Sequence, residues 1–288
     1  MLNVPTRRPH RSETGIPPAM DGPPSRFRLL PDGRAEAAQR RRLRRDLVTA
    51  AENDGFLLQY QPRVSLADGQ TTGAEALVLW PHRKRGIVPP ASFLPLAEEA
   101  GLTSDIGGWV LRAACREAAA WPQSWSVSVN VTPRQIEEHV LLRQLAEALE
   151  LSGLHPERLE LELSESMLVD VGLDTLLALS SIRDLGVGIA LDDFGASHAS
   201  LAMLKRLPLT ALKIDRSLIR DLPADREDAA IVRAAIETGH ALALSVVAEG
   251  IETETQRGFL SACGCDAGQG HLFSHAVPPE QLPRRSRV

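Results

Sequence analysis

The sequence predicts an α/β fold, a modified (β/α)8 TIM-type barrel with one antiparallel strand at its start. Three observations carry this reading. Strand-like and helix-like segments alternate over roughly 230 residues, the pattern of a barrel or a doubly wound sheet. The strand-like segments are short and dense in Val, Ile and Leu, as strands covered on both faces are. A hairpin-type signal, Asp68-Gly69, makes the first two strands antiparallel. The alternative, a doubly wound open sheet, would open its first unit with a Gly-rich turn, and no such turn follows the first strand.

The elements follow in order. Residues 1–33 hold Pro5, Pro9, Pro17, Pro18, Pro23 and Pro24 among Arg, Ser and Gly, show no periodicity, and are expected to be a disordered tail. A lead-in helix is expected over 34–54, carrying the basic run Arg40-Arg41-Arg42-Leu43-Arg44-Arg45. That run reads either as a solvated helix face or as a contact for an anionic partner. The barrel is expected over 55–280. Its strands are predicted at 56–66, 72–80, 126–131, 158–164, 187–191, 210–215, 243–248 and 265–269. Helices are predicted at 90–100, 104–121 and 139–152, from the end of the fourth strand to about 184, and at 199–204, 227–241 and 254–262. Residues 281–288 are expected to form a flexible tail.

Composition narrows the class. A chain of 288 residues with 43% hydrophobic and 24% charged residues can bury a sizeable core. Its net charge of -5 argues against a nucleic-acid polymer as partner. No apolar stretch is long enough to span a bilayer and the N-terminus has no secretory h-region, so a cytoplasmic protein is expected. Cys263-Gly264-Cys265 is too tight for the usual zinc pair, and with Cys115 it is read as buried free thiol.

The polar residues fall at informative places. The apolar run Ile189-Ala190-Leu191 ends in Asp192-Asp193-Phe194-Gly195. Successive strand residues point to opposite faces, so both aspartates serve one site only if the strand is ending there. Glu75, Asn130, Glu162, Lys213, Asp215, Glu249 and Gln269 likewise lie in, or just after, other predicted strands. Barrel active sites are built at the C-terminal ends of the strands. Taken singly, each residue could cap a turn or sit in a surface pair; together they have no solvated strand face to occupy. Several carboxylates and an amide oxygen form a hard, oxygen-rich site suited to Mg²⁺ or Mn²⁺. Two such ions about 3.5–4 Å apart support phosphodiester hydrolysis. A lysine among them is pulled down by cations and up by carboxylates, and the sequence leaves that balance open.

These motifs resemble the EAL-domain family of cyclic di-GMP phosphodiesterases. The resemblance rests on Glu75-Ala76-Leu77, Asn130, Glu162-Leu163-Ser164-Glu165, Asp192-Asp193-Phe194-Gly195, Lys213-Ile214-Asp215, Ala248-Glu249-Gly250-Ile251-Glu252 and Gln269-Gly270, in that order. Tyr60-Gln61-Pro62 and Phe273-Ser274 also look like family positions. The resemblance implies a barrel with one antiparallel strand and hydrolysis of cyclic di-GMP to linear pGpG. It implies metal ligation by Glu75, Asn130, Glu162, Asp192, Asp193 and Glu249, with two Mg²⁺ or Mn²⁺ ions. Lys213 would position or deprotonate the attacking water. Gln61, the Leu77 backbone and Gln269 would contact substrate, and Glu165 and Asp215 would order the loop after Asp192-Asp193. A homodimer through that region is a family habit.

The sequence departs from the family pattern at several positions. Leu79 stands where Glu-x-Leu-x-Arg has an arginine that contacts a substrate phosphate. The loop usually written Thr-Gly-Tyr-Ser-Ser is Ala196-Ser197-His198-Ala199-Ser200. His271 replaces a tyrosine, and His275-Ala276 stand where a proline usually follows. Two functions are therefore carried forward: a metal-dependent phosphodiesterase, and a weak or inactive domain serving as cyclic di-GMP receptor or protein-interaction module. Asp193-Phe194-Gly195 also matches the kinase metal-binding tripeptide, but no Gly-rich loop or His-Arg-Asp motif accompanies it.

Overall fold

The computed structural model of the chain describes residues 33–168, 171–196 and 204–283. Most of the expected N-terminal tail, the departures at 197–200, nearly all of the predicted 199–204 helix and the tail at 284–288 lie outside the described residues. Packing divides the chain into two units, Met1–Arg41 and Arg42–Val288. The described part of the first is the opening of helix α1 (Gly33–Glu52); the second holds every other element.

The second unit is a closed barrel. Strands β1 (Leu57–Ser65), β2 (Thr71–His82), β3 (Gly86–Val88), β4 (Ser126–Asn130), β5 (Leu159–Ser164), β6 (Gly188–Phe194), β7 (Ala211–Ile214), β8 (Ser245–Ala248) and β9 (Ala267–Gly268) follow in chain order. They neighbour one another as β1-β9-β8-β7-β6-β5-β4-β2-β3, and the β1–β2 pairing closes the ring. Strand β1 runs antiparallel to both β2 and β9, while β2 and β4 to β9 pair in parallel. The expected single antiparallel strand is therefore β1. Strand β3 lies outside the ring and pairs with the end of β2, Trp80 opposite Val88. At three residues it is too short to give a readable alternation in the sequence.

Helices α2 (Pro90–Ala100), α3 (Thr103–Ala119), α4 (Pro133–Glu137), α5 (Leu141–Ser152), α6 (Leu173–Asp184), α7 (Arg216–Ile219), α8 (Arg226–Ala241) and α9 (Glu254–Ala262) complete the described α-helices. Helix α3 buries Ile106, Val110, Leu111, Ala114, Cys115 and Ala118, a stripe at helical spacing. Asp225 starts α8 by accepting from the Glu227 and Asp228 N–H groups at 2.8 and 3.1 Å. Thr253 and Gln256 form the capping box of α9. The helix expected over 139–152 is α5, and a short helix that was not expected, α4, precedes it. Pro133 opens α4, and His139, left-handed at φ 53°, breaks the chain before α5. The helix expected to follow β5 is a short 3-10 turn at Glu165–Leu168, with α6 starting only at Leu173.

Alternation along β2 sets up the site. Ala74, Ala76 and Trp80 belong to the core shared with the covering helices. Glu75, Leu77 and Leu79 occupy the opposite face, toward the barrel interior. The interior below them is ionic. Arg63 on β1 donates to Glu160 Oε1 on β5 at 2.5 Å and to Ser126 Oγ on β4 at 2.6 Å. Gly73, opposite Arg63, leaves room: a Cβ there would lie 2.3 Å from the Ser126 carbonyl oxygen. Arg63→Ala leaves Glu160 as a half-buried, unpaired carboxylate, and a loss of about 1.5–3 kcal/mol is expected. Denaturant unfolding at pH 7 measures this, and Arg63→Lys should recover part of the loss. Equal midpoints for wild type and Arg63→Ala would show the pair to be solvated.

Candidate active site

At one end of the barrel four strands and the turn after a fifth bring a lysine among carboxylates. Lys213 Nζ lies 2.6 Å from Glu249 Oε1, 2.9 Å from Glu162 Oε1, 3.1 Å from Asp192 Oδ1 and 3.6 Å from Glu75 Oε2. Lys213 and Glu162 are each 1% exposed, and Glu75 is 7% exposed. Amides brace the acids from outside. Asn130 Nδ2 donates to Glu75 Oε1 at 2.8 Å; Gln269 Nε2 donates to Glu75 Oε2 at 2.7 Å and to Glu249 Oε1 at 3.0 Å.

Strand β6 explains how two successive aspartates reach this end. Its pairing with β7 slips between Leu191 and Phe194, and Asp193 is left-handed at φ 59°. Aspartate tolerates that conformation better than a branched residue does. The bulge breaks strict alternation. Carboxylate oxygens of Asp192, Asp193 and Glu249 consequently lie within 4.8 Å of one another, with Asp192 buried and Asp193 exposed. The sequence placed the strand's end at Leu191; the strand continues through both aspartates to Phe194.

The other expected site residues take separate places. Gln61 lies on β1 directly opposite Glu75, and Leu77 and Leu79 continue the Glu75 face toward the strand's end. Glu165, buried at 1%, accepts from the Gly195 N–H at 3.3 Å. Asp215 does not join the acid cluster: it caps α7, accepting from the Ser217 N–H at 2.9 Å, and its own N–H donates to the Phe194 carbonyl at 3.1 Å. Gly270 is needed for close approach, since a Cβ there would meet the Ile251 carbonyl oxygen at 2.1 Å. That contact holds the chain after Gln269 against the end of β8. Arg63 and Glu160 were not singled out from sequence. Their signal was present, because Arg63 alternates with Gln61 on β1 and Glu160 with Glu162 on β5.

In the metal-free protein the carboxylates outweigh burial at Lys213. Burial alone would lower the Lys213 pKa, but Glu162, Glu75, Glu249 and Asp192 together raise it well above the usual lysine range. Burial and then the neighbouring Glu75 raise Glu162 well above the carboxylate range. Burial raises Glu249 to about 7 against the pull of Lys213. Glu75 goes the other way: burial raises it, but Lys213 and the hydrogen bonds from Gln269 and Asn130 leave it lowered. Burial, with Asp192 next, raises Asp193.

The donor set fits a divalent cation. Both Glu162 oxygens, Asp192 Oδ1 and Lys213 Nζ are buried without a directional hydrogen bond, although they stand at ion-pair distances. One lysine charge serves four carboxylates, and all the oxygen donors are hard. Cation binding must displace the proton that Glu249 retains up to about 7, so affinity should rise with pH up to about 7, by about tenfold per pH unit for that proton. Without metal the linkage runs oppositely. The raised Glu249 holds its proton better when folded, so its contribution to stability declines as pH rises from 4.5 through about 7. Calorimetric Mn²⁺ titrations at pH 6 and 7 test the first statement; equal affinities would remove the proton coupling.

The chain matches known proteins over most of its length. The family model described as the EAL domain matches residues 41–276. The Pseudomonas aeruginosa bifunctional diguanylate cyclase/cyclic di-GMP phosphodiesterase MucR is 42% identical over 252 residues, covering 86% of this chain and 37% of MucR. The cyclic di-GMP phosphodiesterase NbdA of the same organism is 41% identical over 246 residues, covering 84% of this chain and 31% of NbdA. This chain thus spans about a third of the length of these curated relatives. The solved PaMucR phosphodiesterase in complex with c-di-GMP superposes with a TM-score of 0.80 at 42% identity, covering 84% of this chain and all of that one.

Proposed function

The chain belongs to the EAL domain family, and from that premise we propose that it hydrolyses cyclic di-GMP to linear pGpG in a reaction dependent on Mg²⁺ or Mn²⁺. One observation carries the proposal: Glu75, Asn130, Glu162, Asp192, Asp193, Lys213 and Glu249, drawn from six strand ends, gather at one end of the barrel.

Glu75, Asn130, Glu162, Asp192, Asp193 and Glu249 would hold the metal. A bound pair of ions would supply water activation and charge stabilisation for phosphodiester hydrolysis. Lys213, kept charged by its four carboxylates, would orient the attacking water and offset charge building on the phosphate. The water oxygen bonds to one phosphorus, the bond from that phosphorus to the ribose oxygen breaks, and the ring opens to a linear dinucleotide ending in a phosphomonoester. Gln61, the Leu77 backbone and Gln269 would meet the substrate from the β1, β2 and β9 side. Glu165 and Asp215 would order the segment after Asp193 through their contacts to Gly195 and Phe194. A homodimer and a cytoplasmic location complete the reading.

The test is chromatographic. Protein, cyclic di-GMP and Mn²⁺ or Mg²⁺ should yield pGpG with time, and Glu75→Ala should yield none. Equal, background-level product from both would leave the second reading, a cyclic di-GMP receptor, which the uncharged Leu79 on the Glu75 face favours. Calorimetry with Ca²⁺ then separates a receptor from a domain that binds no nucleotide.

A further inference from the structure

From Arg42 on, helix α1 meets a second basic segment, and an open groove lies between them. The tip of the β2–β3 hairpin reads His82-Arg83-Lys84-Arg85. Its first three residues, together with Arg42 and Asp46 of α1, line a groove of about 740 Å³. The hairpin is tied to the helix. The Lys84 N–H donates to His82 Nδ1 at 3.1 Å, so the neutral ring carries its proton on Nε2, which lies 3.3 Å from Asp46 Oδ2. That contact occupies the lining carboxylate. Arg42, Arg83 and Lys84 are exposed and form no ion pair among the described residues. Three cations therefore face the groove against the single carboxylate of Asp46, and positive charge is in excess there. Trp80, Ala50 and Pro81 supply apolar wall.

We propose that this groove binds a phosphate ester, through Arg42, Arg83 and Lys84. Arginine forks and a lysine ammonium are the groups that recognise phosphate oxygens. The volume falls within the range of small-molecule sites and far exceeds a bare phosphate, so the ligand carries a body beside its phosphate. Such an ester comes either as a free nucleotide or as a phospholipid headgroup. The groove is separate from the acid cluster. Trp80 belongs to the outer core and Glu75 lies on the opposite face of β2, so the ligand need not be the substrate of the barrel's site.

The experiment uses the full chain in EDTA, which removes any anion binding through metal at the acid cluster. One arm titrates ATP by calorimetry. The other sediments the protein with phosphatidylcholine vesicles with and without phosphatidic acid. Arg83→Ala/Lys84→Ala is compared with a control pair, Lys205→Ala/Arg206→Ala, and thermal melts verify that both fold. Binding in either arm that falls at least tenfold in the Arg83/Lys84 pair, and less than twofold in the control, supports the site. The arm that responds identifies the source of the phosphate. Arg42→Glu, on the opposite wall, should produce the same loss. No binding in either arm, or equal loss in both pairs, overturns the proposal.

Discussion

Lys213→Met is expected to lower pGpG formation at least a hundredfold and to destabilise the metal-free protein by about 3–5 kcal/mol. The lysine lies within 3.6 Å of four carboxylates in a setting almost closed to water. Methionine fills a similar volume, so the loss reports charge rather than a cavity. The pH dependence distinguishes the two. Without Lys213 the carboxylates hold their protons more tightly in the folded state. Folded pKa values above 4.5 cost stability as pH rises, so the deficit should be smaller at pH 5 than at pH 8. Added Mn²⁺ should narrow the pH 8 deficit, because a cation restores the missing charge. Denaturant unfolding at both pH values, with EDTA and with Mn²⁺, reads the effect. A deficit independent of pH and metal would mean that Lys213 acts through packing alone.

Leu79→Arg is expected to lower the KM for cyclic di-GMP ten- to a hundredfold with little change in kcat. A charge-assisted contact to phosphate contributes about 1.5–3 kcal/mol, and Leu79 occupies the face of β2 that also presents Glu75. Its neighbour across the pairing is Leu57, so no cation on β1 takes the arginine's place there. An interaction made with substrate and transition state alike appears in KM rather than in kcat. Leu79→Met is the size control and should leave both constants as they are. If arginine instead raises nucleotide affinity without any turnover, the domain is a receptor whose weak point is binding. An unchanged KM would show that position 79 does not reach the phosphate.

Much of this was legible in the chain itself. Regular alternation and β-branched density gave the barrel, and Asp68-Gly69 gave the antiparallel entry strand. The metal-fitting acids were legible because a barrel strand has no solvated face on which to leave a charge. Glu75, Glu162 and Lys213 could therefore be picked out by position. Other features were not legible, because they depend on partners distant in sequence. The five-residue α4 and the three-residue β3 are too short to show a period in the sequence. The role of Asp215 could not be read from its spacing to Lys213, since the strand stops at Ile214 and the next residue caps a helix.

The sequence by itself determined which residues are ionisable and near which strand most of them fall, because those follow from type and period. The fold alone decided their distances and ionisation. Lys213 could have been lowered or raised, and in the metal-free protein four carboxylates within 3.6 Å raise it. Asp192 and Asp193 could have diverged, and a bulge brings both to one end. Coulomb energies fall with distance and grow with burial, and neither quantity exists until strands far apart in the chain are paired.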